Sequence, residues 1–60
     1  MISKEHTLQR MILRRAEGSG TPDEKYEDCK YLLKDAEKQG VIKYEEWQSW
    51  IEFVTKVLDI

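Results

Sequence analysis

Glycine and proline occur at few positions in this chain, and those positions limit the folds open to it. Gly18 and Gly20 lie close together, Pro22 is the single proline, and Gly40 is the remaining glycine. Because these residues break regular structure or mark its ends, they divide the sequence into three stretches. The stretches are residues 1–17, 21–39 and 41–60. Asparagine, which favours tight hairpin turns, is absent, so the division predicts helices with short connections.

The middle stretch carries the clearest helix signals. Thr21 and Glu24 have the spacing of a capping box, in which each side chain bonds the other residue's backbone amide. Gly40 supplies a left-handed residue that ends the helix and lets Val41 fold back on it, which predicts a helix over residues 22–39. Its apolar arc comprises Tyr26, Cys29, Leu32, Leu33 and Ala36.

The last stretch is the most apolar part of the chain. It holds two tryptophans, one phenylalanine, one tyrosine and seven aliphatic residues, and their spacing predicts a helix over residues 43–59. At about 100° per residue the apolar side spans about 200°, which is wider than one neighbouring helix covers. Either the other two helices cover this side together in a monomeric bundle, or a second molecule covers part of it.

The first stretch has the narrowest apolar face. Ser3 has the position of a helix N-cap, which predicts a helix over residues 4–17. Its stripe comprises Leu8, Met11 and Ile12. The glycines that follow leave open whether this helix docks on its own chain or on a neighbouring one. We therefore expect one small all-α domain over residues 1–60 that self-associates: a three-helix bundle, or a helical hairpin with an N-terminal helical arm.

The length of 60 residues limits the stability that one core can provide. A core this small rarely supplies more than about 3–5 kcal/mol, and small proteins usually add disulfides, a metal or a partner. Cys29 is the single cysteine, which excludes an intrachain disulfide and indicates a small buried side chain or, alternatively, a thiol near a two-fold axis. No apolar run approaches the ~18–20 residues that cross a bilayer, so we expect a cytoplasmic protein with no membrane partner.

The residue types that catalysis and metal binding need are scarce in the sequence. His6 is the only histidine, so a nucleophile–histidine–acid triad would depend on one residue near a helix start. The spacings of di-metal, zinc and calcium motifs are absent, and no glycine-rich phosphate loop occurs. We therefore expect no enzyme activity, no cofactor, no metal site and no small-molecule substrate.

Arginine is confined to the first stretch. Lys4 and three arginines against Glu5 and Glu17 give residues 1–17 a formal charge of +2, whereas the rest of the chain carries −4. Such a strip is typical of proteins that contact phosphates or an acidic protein surface, and its candidate contacts are Arg10, Arg14 and Arg15. The alternative function is therefore that of a dimeric DNA- or RNA-binding transcriptional regulator, although the acidic last helix is a poor major-groove reader.

Gly40, Val41 and Ile42 are followed by Glu45 and Glu46. In this respect residues 33–47 resemble the short helical hairpins of the SHOCT type, in which one helix ends in Gly-Ile and the next begins with acidic residues. The resemblance implies a helical hairpin that aids oligomerisation. The two tryptophans and the long first helix depart from that pattern.

The principal hypothesis is a small non-enzymatic protein that binds other proteins. It would dock the apolar side of its last helix on a larger protein or form a homodimer, and act as a regulator or inhibitor. Small chains without catalytic residues are often of this kind, and phages and mobile elements encode many of them. The predicted interface residues are Trp47, Trp50, Phe53, Val54 and Val57, with Tyr31 as part of a second contact surface.

Overall fold

The computed structural model describes residues 3–60, and its regular structure is entirely helical over that range. Three α-helices follow one another, with a 3₁₀ turn before the last. They are α1 (Lys4–Glu17), α2 (Pro22–Lys38) and α3 (Trp47–Leu58), and the turn covers Tyr44–Glu46. The three helices pack together, which confirms the predicted all-α class and decides for the bundle over a hairpin with a free arm.

The first two helices begin at the residues that capping chemistry predicts. The Ser3 Oγ accepts a hydrogen bond from the His6 backbone N–H at 3.1 Å, and the Thr21 Oγ1 accepts one from the Glu24 N–H at 3.2 Å. Each bond satisfies an amide that has no partner within its own helix. Pro22 occupies the first position of α2, where its missing amide leaves no bond unmade.

The end of α2 is a Schellman motif. Gly40 has φ +80°, the left-handed conformation that glycine adopts without a steric penalty. Its N–H donates to the Glu37 carbonyl at 3.0 Å, and the Val41 N–H donates to the Ala36 carbonyl at 2.8 Å. The chain therefore reverses onto α2 at the predicted residues, and α3 follows as the second arm of a helical hairpin.

The last helix is shorter than the sequence pattern predicts. A helix over residues 43–59 is expected, but α3 begins at Trp47 and ends at Leu58. Before it, the Lys43 N–H donates to the Glu46 Oε1 at 3.0 Å, and the Glu46 N–H donates to the Lys43 carbonyl at 2.9 Å. These bonds span three residues and tighten the chain into the 3₁₀ turn. After it, Asp59 adopts a left-handed conformation with φ 59°, which stops the helix.

The core draws on all three helices and on the connection between α2 and α3. Its buried residues are Leu8, Ile12, Cys29, Leu33, Ala36, Ile42 and Val54. Because α1 contributes two of them, it docks on its own chain. Burying a large aliphatic side chain contributes about 1.5–3 kcal/mol, so each of the buried leucine, isoleucine and valine residues stabilises the fold.

Polar contacts fasten α1 to α2 at their glycine-containing connection. The Arg15 Nε donates to the Asp28 Oδ2 at 2.6 Å, and its Nη1 donates to the Ser19 carbonyl at 2.8 Å. From α2, the Lys25 Nζ donates to the Ala16 carbonyl at 2.9 Å, which satisfies a carbonyl in the last turn of α1. Arg15 therefore links α1 to α2 and to the connection between them.

Candidate interaction surface

α3 is the most apolar of the three helices, yet only one of its residues is fully buried. Val54 is 0% exposed, whereas α1 buries two residues and α2 buries three. The other large apolar side chains of α3 are half-buried. The apolar side of α3 therefore extends beyond the part that α1 and α2 cover completely.

The apolar residues of α3 form two adjacent stripes. Both repeat at intervals of three and four residues, the spacing that keeps side chains on one line along a helix. The first stripe comprises Trp47, Ile51, Val54 and Leu58, of which Val54 is buried and the other three are half-buried against the core. The second stripe consists of half-buried residues and comprises Trp50, Phe53 and Val57, which we name the α3 flank.

The aromatic rings of the α3 flank are held in a defined geometry. The Trp50 and Phe53 rings meet edge to face, with centroids 6.0 Å apart and an interplanar angle of 82°. Both rings line a shallow depression with Gln9 of α1, and Trp50 borders a second one with His6. The flank thus continues directly onto the surface of α1.

Leu13 is an exposed apolar residue on the side of α1 that carries Gln9. It lies one helical turn after Gln9 and is 41% exposed, a large fraction for a leucine in so small a chain. His6 neighbours Trp50 and Gln9 neighbours Phe53, so α1 and α3 run in the same direction where they meet. We name the combined surface of Gln9, Leu13 and the α3 flank the α1/α3 seam.

Two of the residues predicted for the interface, Val54 and Trp47, make contacts within the chain. Val54 is 0% exposed and lies in the core, so it does not line a free surface of the single chain. The Trp47 ring is half-buried against the core, and its Nε1 donates a hydrogen bond to the Glu37 carboxylate on α2. Trp47 therefore joins α2 to α3. Periodicity alone places both residues on the same apolar side as Trp50 and does not separate interior from flank.

Tyr31 is separate from the seam. It is 71% exposed on α2, and because it follows Cys29 by two residues it points about 160° away from that buried side chain. Its neighbours in a shallow depression are Glu27, Lys30 and Lys34. The structure therefore places this side chain in a charged environment away from the α3 flank.

The three arginines have different environments. Arg15 is paired with Asp28 and bonded to the loop, as described above. Arg10 and Arg14 are exposed and one turn apart, and within residues 3–60 neither forms an ion pair. The basic strip that the sequence indicates is thus reduced to two exposed guanidinium groups.

A groove between α1 and α2 is a feature that the sequence did not single out. It is open, with a volume of about 330 Å³, and its floor is formed by apolar side chains of both helices. Met11, at 44% exposure, and the half-buried Leu32 and Val41 lie along it. Met11 and Leu32 lie at the edges of their predicted apolar arcs. This edge position is the sequence feature that could have indicated a groove between the two helices.

The environment of Cys29 decides between its two interpretations. The side chain is 0% exposed in the core, which agrees with a small buried hydrophobic residue and not with a thiol at the surface. Desolvation by burial raises the pKa of the Cys29 thiol, and the nearby positive charge of Arg15 opposes that rise. The thiol is therefore protonated at neutral pH and a weak nucleophile.

Residues 3–60 contain no group of three or more histidine, cysteine or carboxylate side chains arranged to hold a metal ion. Within the same residues, none of the helices is both long enough and apolar enough to cross a membrane. The chain matches none of the protein-family models, curated proteins or solved structures with which it was compared.

Proposed function

We propose that this chain is a non-enzymatic interaction protein that binds another polypeptide through the α1/α3 seam and acts as a regulator or inhibitor of what it binds. The observation that carries the proposal is the incomplete burial of α3. The most apolar helix of the chain encloses only Val54, while Trp50, Phe53 and Val57 remain half-buried beside it.

The residue types of the seam support this proposal. Tryptophan is enriched among the residues that dominate binding energies at protein interfaces, because it buries a large area at a low cost in side-chain entropy. The ring pair of Trp50 and Phe53 provides a rigid centre for such a contact. Removing the exposed part of these rings from water would add roughly 25 cal/mol for each Å² that a partner covers.

The alternative is a nucleic-acid-binding regulator. It is favoured by the exposure of Arg10 and Arg14, one turn apart on a helix whose stretch carries a charge of +2. The intramolecular pairing of Arg15 removes a third phosphate contact. The two functions differ in the residues that they require, so substitution distinguishes them.

The test is affinity capture from a lysate of the source organism, with the wild type beside two lysine variants. Val57→Lys places a charge on the flank at a position outside the core cluster, and Tyr31→Lys makes a similar change on the outer face of α2. We expect the wild type and Tyr31→Lys to retain the same protein, and Val57→Lys to lose it. Far-ultraviolet circular dichroism checks that all three chains are equally helical.

Nucleic-acid binding is measured on the same preparations. We expect no difference between the wild type and the double variant Arg10→Ala/Arg14→Ala in binding to duplex DNA. Salt-sensitive binding of the wild type that the double variant loses would contradict the proposal and favour the alternative.

A further inference from the structure

We propose that the groove between α1 and α2 is the contact surface of a homodimer, in which two copies meet groove to groove about a two-fold axis parallel to the groove. This surface is separate from the α1/α3 seam, so the inference does not depend on the proposed function. It rests on the charges at the two edges of the groove and on the apolar residues between them.

The α1 edge of the groove is basic. Lys4 is the only charged residue of α1 among those that line the groove, and it is exposed. The two carboxylates of α1 are Glu5 and Glu17, and each lies six positions from Met11 in the sequence. At about 100° per residue both project about 120° away from Met11, so they face away from the groove.

The α2 edge of the groove is acidic. Its charged lining residue is Asp35, which is exposed and accepts a hydrogen bond from the Gln39 Nε2 at 2.8 Å. Lys25 is held at the junction by its bond to an α1 carbonyl. The other three lysines of α2 project at least about 120° away from Leu32, and they are Lys30, Lys34 and Lys38. Within residues 3–60, neither Lys4 nor Asp35 forms an ion pair.

The apolar residues of the two edges lie at one level. α1 and α2 are antiparallel, because Arg15 pairs with Asp28 at one end of the groove and the two charged lining residues lie together at the other. Met11 is one turn before Arg15, and Leu32 is one turn after Asp28. Met11 and Leu32 therefore lie opposite each other across the groove, and Met11 is 44% exposed.

A two-fold axis parallel to the groove keeps these levels and exchanges the helices, so that α1 of each copy lies opposite α2 of the other. Lys4 then faces the partner's Asp35. Met11 enters the partner's groove beside Leu32, where its flexible side chain fills part of the open volume of about 330 Å³.

An axis across the groove would bring α1 against α1 and α2 against α2, so edges of like charge would meet at a cost. Each copy thus presents, at the matching level, the charge that the other copy's edges require. This self-complementarity is the reason to name a second copy of this chain as the occupant of the groove.

The contact is limited to the facing edges of two helices. We therefore expect it to bury less than about 1,200 Å² in total, a size typical of weak and transient association. The chain exposes 4698 Å², so each copy would contribute roughly one eighth of its surface. We expect a reversible dimer that forms in the high micromolar range.

Sedimentation of the full chain from about 1 µM to about 1 mM tests the inference. We expect the mass to rise from 7.2 kDa toward twice that value as concentration increases. Met11→Glu places a carboxylate in the centre of the contact and should weaken association by at least about tenfold. Leu13→Glu is the matched control, because Leu13 is a similarly exposed apolar residue on another side of the same helix. It should leave association unchanged.

A charge exchange tests the orientation of the axis. Lys4→Glu and Asp35→Lys are each expected to weaken association by about threefold to tenfold, and the effects should shrink at high salt. The double variant Lys4→Glu/Asp35→Lys restores opposite charges at both edges and should associate as the wild type does. Circular dichroism during urea titration checks that the variants are equally stable. Stronger association of either single variant, or no recovery in the double variant, would overturn the arrangement.

A mass of 7.2 kDa at every concentration would overturn the dimer. A concentration-dependent mass that Leu13→Glu abolishes and Met11→Glu does not would place self-association at the α1/α3 seam, and the inference for the groove would be wrong. The proposed function is tested separately by Val57→Lys in the capture experiment, so either result can fail without the other.

Discussion

α2 and α3 use their apolar residues in opposite ways. α2 packs extensively against both other helices, and Cys29, Leu33 and Ala36 are completely or almost completely buried between them. α3 has more apolar side chains but makes fewer contacts with α1, and it encloses only Val54. The less apolar helix therefore forms the larger part of the core.

This difference separates the apolar residues that are enclosed in the core from those that are only partly buried. A side chain enclosed on all sides contributes its full transfer free energy and leaves a cavity when it is truncated. A side chain on the α3 flank is already partly in water, so truncation removes less stabilisation. Substitutions that compare enclosed with half-buried positions test this interpretation directly.

The largest effect is expected from Leu33→Ala. Leu33 is 0% exposed at the centre of α2, and loss of its side chain should lower the free energy of unfolding by about 3–4 kcal/mol. A chain of this size has little more than that in total, so the variant should be largely unfolded at 25 °C. Circular dichroism during urea titration measures the change.

Leu32→Ala is the matched control, since Leu32 is the preceding leucine of the same helix and is half-buried in the α1/α2 groove. We expect a loss of about 1–2 kcal/mol and a folded chain. Equal losses for the two leucines would contradict the view that enclosure in α2 dominates stability.

A second comparison is confined to α3. Val54→Ala should lower the free energy of unfolding by about 2 kcal/mol, because two buried methyl groups are removed and a cavity remains. Val57→Ala removes the same atoms from the flank and should cost less than about 1 kcal/mol. Chemical denaturation of both variants at low protein concentration gives the two values. A larger loss at Val57 would show that the flank is part of the core.

Substitutions at the C-terminal ends of α2 and α3 are expected to change the free energy of unfolding least. Gly40→Ala forces a residue with a β-carbon into φ +80° and should destabilise the chain by about 1 kcal/mol. Asp59→Gly relieves the same conformation at the end of α3 and removes a negative charge from a helix C-terminus, so it should stabilise by about 0.5 kcal/mol. Thermal unfolding measures both. Destabilisation by Asp59→Gly would contradict this view of the end of α3.

Local chemistry accounts for the parts of the fold that the sequence predicts well. The starts of α1 and α2 depend on hydrogen bonds that span three residues, from Ser3 and Thr21, and the end of α2 depends on the freedom of Gly40. The start of α3 was predicted too early, because apolar periodicity continues through residues that form a 3₁₀ turn. Periodicity reports which side chains share a face and contains little information about the backbone at a helix end.

The sequence predicts the apolar composition of the candidate site but does not distinguish its enclosed residues from its partly exposed ones. Trp50, Phe53 and Val57 are on the surface that the sequence proposed, whereas Val54 lies beneath it and Trp47 bonds Glu37. These five residues have the same apolar character and the same spacing. What separates them is the direction from which the neighbouring helices approach α3.

Local sequence patterns specify three helices, two of their starts and the turn at Gly40, because each depends on contacts between residues close together in the chain. The docking of α1 on its own chain and the pairing of Arg15 with Asp28 follow instead from the packing of the helices. This packing also decides which apolar side chains of α3 are enclosed. These properties depend on the angles and distances at which helices far apart in sequence pack together, and no local pattern specifies them.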